Sequence, residues 1–218
     1  MPLRHDWFRQ ELRRDVARVV RIRLGCAAAS SAVSVFAVIV IGSVTPVYSQ
    51  WSDPVSRLAS PGEPCALEAR AAFAAYGLLV AAGAGTLRHY AWHQQHWLAR
   101  CLALYAAACV VAGVAPKDQP GAAPTFVSQV HVAAAVLGGA LLLGAMTLVS
   151  GCGVTRTARR AAVAMALLTG LAAGIFSLTW GTQVYGLSER VLLGLGMGWI
   201  SALATRAFVT SAPNAAAG

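Results

Sequence analysis

The side chains able to do acid–base chemistry gather in three places. Trp51, Asp53 and Ser56 lie in the connection after the first apolar run, with Glu68 and Arg70 just beyond it. Lys117, Asp118 and His131 bracket the connection after the third run, and Glu189 and Arg190 follow the connection after the fifth. Helices that cross back and forth bring these three connections to one end of a bundle. There His131 beside Asp118 or Glu189 could act as a general acid or base, and the same groups could bind a polar headgroup. A structural reading competes and is the stronger one. Glu189 directly after Ser188 suits a helix start, Glu68 and Arg70 suit an interface, and a lone histidine at a helix end is most often a hydrogen-bonded structural residue.

Metal chemistry finds less support. His131 is the only histidine at that end, so no three-histidine zinc site assembles there. At the opposite end His89, His93 and His96, spaced by four and three, share a face if the second run continues through them as helix. Trp92, Gln94, Gln95 and Trp97 crowd the same stretch, and a tight turn breaks the face, so an interfacial polar connection is the expectation. Cys26, Cys101, Cys109 and Cys152 sit in or next to apolar runs and Cys65 stands alone, with no C-x-x-C or Cys/His spacing. Neither a metal nor a cofactor is expected.

The elements that position these residues follow from composition. Of 218 residues 57% are hydrophobic and 11% charged, whereas a soluble domain carries about 25% charged residues. Apolar runs at Leu24 to Val44, Leu67 to Leu87, Leu98 to Ala115, Val130 to Val149, Ala161 to Thr179 and Val191 to Val209 are long enough to cross about 30 Å of hydrocarbon as helices. They lack the alternation of a membrane strand, which excludes a barrel. The fold class expected is all-α, a six-transmembrane-helix bundle. Residues 1–23 form a basic amphipathic segment, 24–209 the bundle and 210–218 a disordered cytoplasmic tail. A cleaved signal peptide ending near Val47, Tyr48 and Ser49 fits poorly, because the apolar run is too long and its leader too extended.

Thirteen of the seventeen Lys and Arg residues fall on the side of the N-terminal segment; Arg57, Arg70, Lys117 and Arg190 fall on the other. The positive-inside rule then places both termini in the cytoplasm, and the membrane expected is the plasma membrane. Tyr48, Trp51, Trp180 and Tyr185 serve as outer interfacial anchors, and Trp7, Tyr90, Trp92 and Trp97 as inner ones. In the leading segment Phe8, Leu12, Val16, Val19 and Val20 recur at helical spacing among arginines. That pattern suits a helix lying on anionic headgroups or prolonging the first span, against a plain solvated tail. The net charge of +9 has no accompanying reader motif, so no nucleic-acid partner is expected.

Three further readings concern how the bundle works. Ser52 or Asp53 is expected to cap a short helix with Pro54 at its first position, lying across the outer mouth. Gly170 with Gly174, and Gly194 with Gly198, have the spacing that lets helices approach closely, and are read as packing within the chain. The span centres hold no ionisable residue, which disfavours ion-coupled transport, and their alanine-rich character gives little sign of a channel.

A family resemblance rests on the outer-end residues. Trp51-Ser52-Asp53-Pro54-Val55-Ser56-Arg57-Leu58-Ala59 with Pro61-Gly62, then Ala115-Pro116-Lys117-Asp118 and His131, then Gly186-Leu187-Ser188-Glu189-Arg190, resembles the bacterial membrane proteins grouped as domain of unknown function 998. The likeness runs from the first span onward. It implies a small helical membrane protein, commonly bacterial, with no established activity. Members often carry an aromatic-Pro-x-Asp step and a Gly after the His; here Ala115 and Val132 stand instead. The functional expectation is a non-enzymatic binding, transport-accessory or envelope-associated factor, whose outward vestibule of Trp51, Asp53, Ser56, Asp118, His131, Glu189 and Arg190 meets a lipid or small molecule. The alternative is an intramembrane enzyme acting on lipid, in which His131, Asp118 and Glu189 approach within hydrogen-bond reach.

Overall fold

A computed structural model describes residues 3–87, 95–119, 121–151 and 155–210. The expected C-terminal tail lies outside these residues apart from Thr210, which ends a helix, and so do His89, Tyr90, Trp92, His93 and Cys152. Six helices follow in order: α1 (Leu3–Val44), α2 (Ala66–Leu87), α3 (Gln95–Val114), α4 (Phe126–Gly151), α5 (Arg156–Leu178) and α6 (Tyr185–Thr210). A short 3-10 helix, Val55–Ala59, interrupts the connection between α1 and α2; that connection, residues 45–65, is called the strap below. No strand occurs among the described residues.

Most helices start before the apolar runs do, because hydropathy marks contact with hydrocarbon whereas helix continues for as long as backbone bonds and caps allow. Arg156 opens α5 behind Thr155, whose side chain accepts the Ala158 N–H at 3.3 Å, and α6 begins at Tyr185, six residues ahead of its apolar run. The difference is largest for α1. It continues unbroken through the basic segment, so the domain boundary expected at residue 23 falls inside a helix. Its 42 residues span about 63 Å at 1.5 Å each, roughly twice the hydrocarbon thickness. The helix ends where Thr45 turns its hydroxyl back to the Ile41 carbonyl, 2.7 Å away, and Pro46 cannot continue it.

Each helix packs on its sequence neighbour, and α6 returns to α1, closing a ring. Leu24, Val80, Leu98, Leu102, Leu142, Met146 and Ile200 fill its centre. Two tyrosines are buried among them; the Tyr76 and Tyr105 hydroxyls lie 3.0 Å apart, so one donates to the other. Outward, the same helices present Phe36, Leu137 and Leu167 at 69%, 57% and 69% exposure. A shell of that kind around the whole bundle is compatible with lipid and not with water. All six helices carry a window long and apolar enough to cross a membrane, with mean hydropathy between 1.3 and 2.3.

The close approaches between helices are not where the glycine spacing put them. A Cβ on Gly170, Gly174, Gly194 or Gly198 would meet nothing within 4 Å. These glycines face away from the bundle, and reading them as packing within the chain is wrong. The tight pair is α2 on α3. A Cβ on Gly77 would lie 2.6 Å from the Ala106 carbonyl oxygen, and one on Gly113 2.7 Å from the Ala74 nitrogen. Backbone sits on backbone there, so no side-chain rotation relieves the clash.

Candidate functional site

The three connections do meet at one end of the bundle, the loop end. The strap is wedged between the ends of α1, α2 and α6, with Val55, Leu58 and Ala59 all at 2% exposure or less. Leu58 and Ala59 form a small apolar cluster with Ile41 and Ala69, flanked by Val38, Tyr48, Cys65 and Phe73 and separate from the main core. The short helix expected over the mouth is present, but its caps differ from expectation. Pro54 occupies the cap position and makes no side-chain cap bond. The Asp53 carboxylate instead accepts the Ser49 N–H at 2.7 Å and pairs with Arg57 at 2.7 Å. Arg57 also reaches Glu63 at 3.2 Å. Desolvation opposes its charge, yet the two carboxylates outweigh it and raise the guanidinium pKa.

The first turn of α6 holds the strap down. Leu187 N–H donates to the Trp51 carbonyl at 2.8 Å. The Glu189 carboxylate accepts the Val55 N–H and faces the Ser56 N–H. Arg190 donates through Nη1 to the carbonyls of Asp53 (3.0 Å) and Gly186 (2.8 Å), and through Nη2 to the Tyr48 hydroxyl. Its guanidinium carbon also lies 5.5 Å from the centre of the Tyr48 ring. Burial pushes the Tyr48 phenol up to about 12 although the Arg190 charge pulls the other way, so the hydroxyl remains a neutral partner at physiological pH.

The remaining candidates have local partners. Asp118 accepts the Thr125 N–H at 2.7 Å and its hydroxyl at 2.9 Å, and Thr125 in turn accepts the Ser128 N–H, so this carboxylate organises the start of α4. His131 is buried, with Nδ1 2.9 Å and 2.8 Å from the carbonyl oxygens of Ala112 and Ala115, which end α3. Trp51 gives its carbonyl to α6 while its ring is 65% exposed. Trp51, Asp53, Ser56, Glu189 and Arg190 are thus brought together around one piece of backbone. Asp118 and His131 form a second group at the α3–α4 turn. No hydrogen bond links His131, Asp118 and Glu189 to one another among the described residues; each turns to its own partners.

Bonding of Asp118 by Thr125 lowers its carboxyl pKa below the ordinary 3.8. A folded value below the unfolded one gives stability that is present above pH 3.8 and lost as pH falls through the folded value. Asp118→Asn is therefore expected to melt lower than wild type at neutral pH. The gap should close on acidification below the ordinary carboxylate range, as read by thermal midpoints in detergent from pH 7 to 3.

Two participants escaped the sequence reading. Tyr48 was legible only as an interfacial aromatic, since its guanidinium partner lies 142 positions away. Gly186 carries a clearer demand, because a Cβ there would lie 2.3 Å from the Asp53 carbonyl oxygen. The Gly-Leu-Ser-Glu-Arg order is the available signal, but as a helix start and a family likeness it says nothing of a backbone pressed against the glycine. Among the described residues no three His, Cys, Asp or Glu side chains come together as a metal site. The better-formed hollows also lie away from the strap. One is a shallow groove of about 380 Å³ on the lipid face, bounded by Ser31, Val35, Phe36, Gly194, Met197 and Gly198. The other, about 10 Å³ in the core beside Leu24 and Ile200, is at the lower limit for a single water.

A closed ring of six apolar helices, strapped at one end by residues of its own first connection, defines a multi-pass membrane protein. The chain belongs to the family described as protein of unknown function DUF998, whose model matches residues 27–206, from within the first span to within the sixth, the strap included. No curated protein and no solved structure matches it significantly.

Proposed function

We propose that this is a non-enzymatic protein of a bacterial inner membrane, a binding, transport-accessory or envelope-associated factor whose loop end faces outward and whose termini are cytoplasmic. One observation carries the reading. The polar side chains at the loop end spend their hydrogen bonds on fixing backbone: Arg190 and Glu189 on the strap, Asp118 on α4 and His131 on α3. Groups kept for turnover are commonly held at some cost to stability, whereas groups kept for architecture contribute to it. What the loop end then offers a lipid or small-molecule partner is a fixed surface around Trp51 and Trp180, both about two-thirds exposed.

The test needs no substrate. His131→Ala leaves two carbonyl oxygens at the end of α3 without their donor, and is expected to cost about 1–3 kcal/mol, read as a lower midpoint in detergent denaturation. A His131→Ala protein as stable as wild type, or more so, overturns the architectural reading and restores the acid–base one.

Orientation and lipid preference rest on charge. Arg18, Arg21 and Arg23 are exposed on α1 at the end away from the strap, where attraction to anionic headgroups is worth about 1 kcal/mol per basic residue. A reporter active only in the cytoplasm, fused to the C-terminus, is expected to be active. Activity of a reporter restricted to the outer side rejects the orientation.

A further inference from the structure

The strap is a distinct unit at the loop end. It rests on its own small apolar cluster and is bounded by two left-handed backbone positions, Val47 at φ 59° and Gly62 at φ 90°. Glycine adopts that region freely, but a β-branched valine there is a strained pivot. Between these pivots the contact from α6 that reaches the strap's own N–H groups beyond Pro54 is a carboxylate, Glu189, facing Val55 and Ser56.

The charged and titratable groups around Glu189 come from each element packed there. Lys117 reaches it from the α3–α4 connection, Arg190 and Tyr185 from α6, and Tyr48 from the strap. Asp53 is occupied by Arg57 and by the Ser49 N–H. No second carboxylate shares the Val55 and Ser56 amides among the described residues. An ionised carboxylate only accepts hydrogen bonds, whereas a protonated one presents an O–H donor and one less acceptor position. The Val55 and Ser56 N–H groups then share a neutral carbonyl oxygen beside a competing O–H, and both bonds lose their charge assistance.

We infer that Glu189 is a proton-operated latch: uptake of one proton on its carboxylate loosens the Val55 and Ser56 amides, and the start of the 3-10 helix lifts from its seat. Lifting draws Val55 and, with it, Leu58 away from Ile41 and bares the edge of an apolar crevice between α1 and α2 at the loop end. The Arg190 bonds to Asp53 and Tyr48 keep the early part of the strap attached, and the Arg70 and Gln119 side chains hold the Ala59 and Pro61 carbonyls at 2.9 Å and 2.8 Å, so the motion is a local release of residues 55–58 and not detachment.

Hydrogen exchange on the full chain in phosphatidylcholine nanodiscs tests this. Protection factors are used, which divide out the intrinsic effect of pH on exchange. Protection of the Val55 and Ser56 amides is expected to fall about tenfold or more between pH 8 and pH 4, while amides in the centre of α3 hold theirs. Glu189→Gln should remove the pH dependence, and Asp53→Asn and Asp118→Asn should keep it. Lys117→Gln should move the midpoint to higher pH, because a cation that favours the carboxylate is gone. A flat wild-type profile overturns the latch. So does an unchanged fall in Glu189→Gln, a fall abolished by Asp53→Asn, or a midpoint indifferent to Lys117. If Glu189→Gln does not fold, the wild-type profile and the Lys117→Gln midpoint decide.

Discussion

Gly186→Ala is expected to cost this protein about 3 kcal/mol or more. One methyl group is enough, because it would stand 2.3 Å from the carbonyl oxygen of Asp53, 2.8 Å from that residue's carbonyl carbon and 2.9 Å from Arg190 Nη1. Only the last is the end of a side chain that can swing away, and it swings at the expense of its own hydrogen bonds. Either the strap lifts off the first turn of α6 or the α6 backbone backs away. Both responses stretch the Leu187 to Trp51 bond and the Glu189 to Val55 bond. The measurement is reversible unfolding in mixed micelles, with Gly170→Ala as the reference. A Cβ at Gly170 meets nothing, so alanine there is neutral or stabilising by up to about 1 kcal/mol. Equal behaviour of the two substitutions contradicts the packing described for the strap.

Arg190 is expected to show the second large effect, with a diagnostic pattern. Arg190→Ala removes three charge-assisted hydrogen bonds and the cation over the Tyr48 ring. It also leaves Glu189 with Lys117 as its remaining cationic neighbour. Losses of this kind run to about 3–5 kcal/mol. Arg190→Lys keeps the charge but not the planar fork that serves Asp53 and Tyr48 from two different nitrogens, and should recover less than half of the loss. Full rescue by lysine would mean that charge alone matters and that the fork geometry is incidental. Tyr48→Phe isolates one arm of the fork, with an expected loss of about 1–2 kcal/mol.

The bundle was legible because hydrocarbon imposes a one-dimensional rule: a run of some twenty apolar residues is a helix whatever its neighbours do. All six helices follow from it. Their ends do not, because Arg156 to Arg160, or Ser188 to Arg190, are as helical as the apolar residues they precede while lying outside any hydropathy window. The order of polar residues along the chain likewise revealed that the strap, the α3–α4 turn and the start of α6 share an end. It did not reveal which groups bind which. Asp53, Glu189 and Arg190 are adjacent in character, and a sequence reading pairs acid with base. In the structure Arg190 turns to carbonyls and a phenol, and Glu189 to amide N–H groups, because the strap is a non-helical segment at a bundle end and its unpaired backbone must be satisfied. The glycine motifs misled for a related reason. Spacing identifies small-residue stripes but not the direction they face, and close contact fell instead to Gly77 and Gly113, which belong to no motif.

The length of α1 has a mechanical corollary. One unbroken, proline-free rod carries the chain from residue 3 to Val44, where the strap begins. Roughly half of that rod is more than the hydrocarbon needs, so the arginine-bearing half is rigidly coupled to the half that packs on α2 and α6. Any force on the arginine-bearing arm is therefore carried along one continuous helix to Val44, and the next residue is the first of the strap.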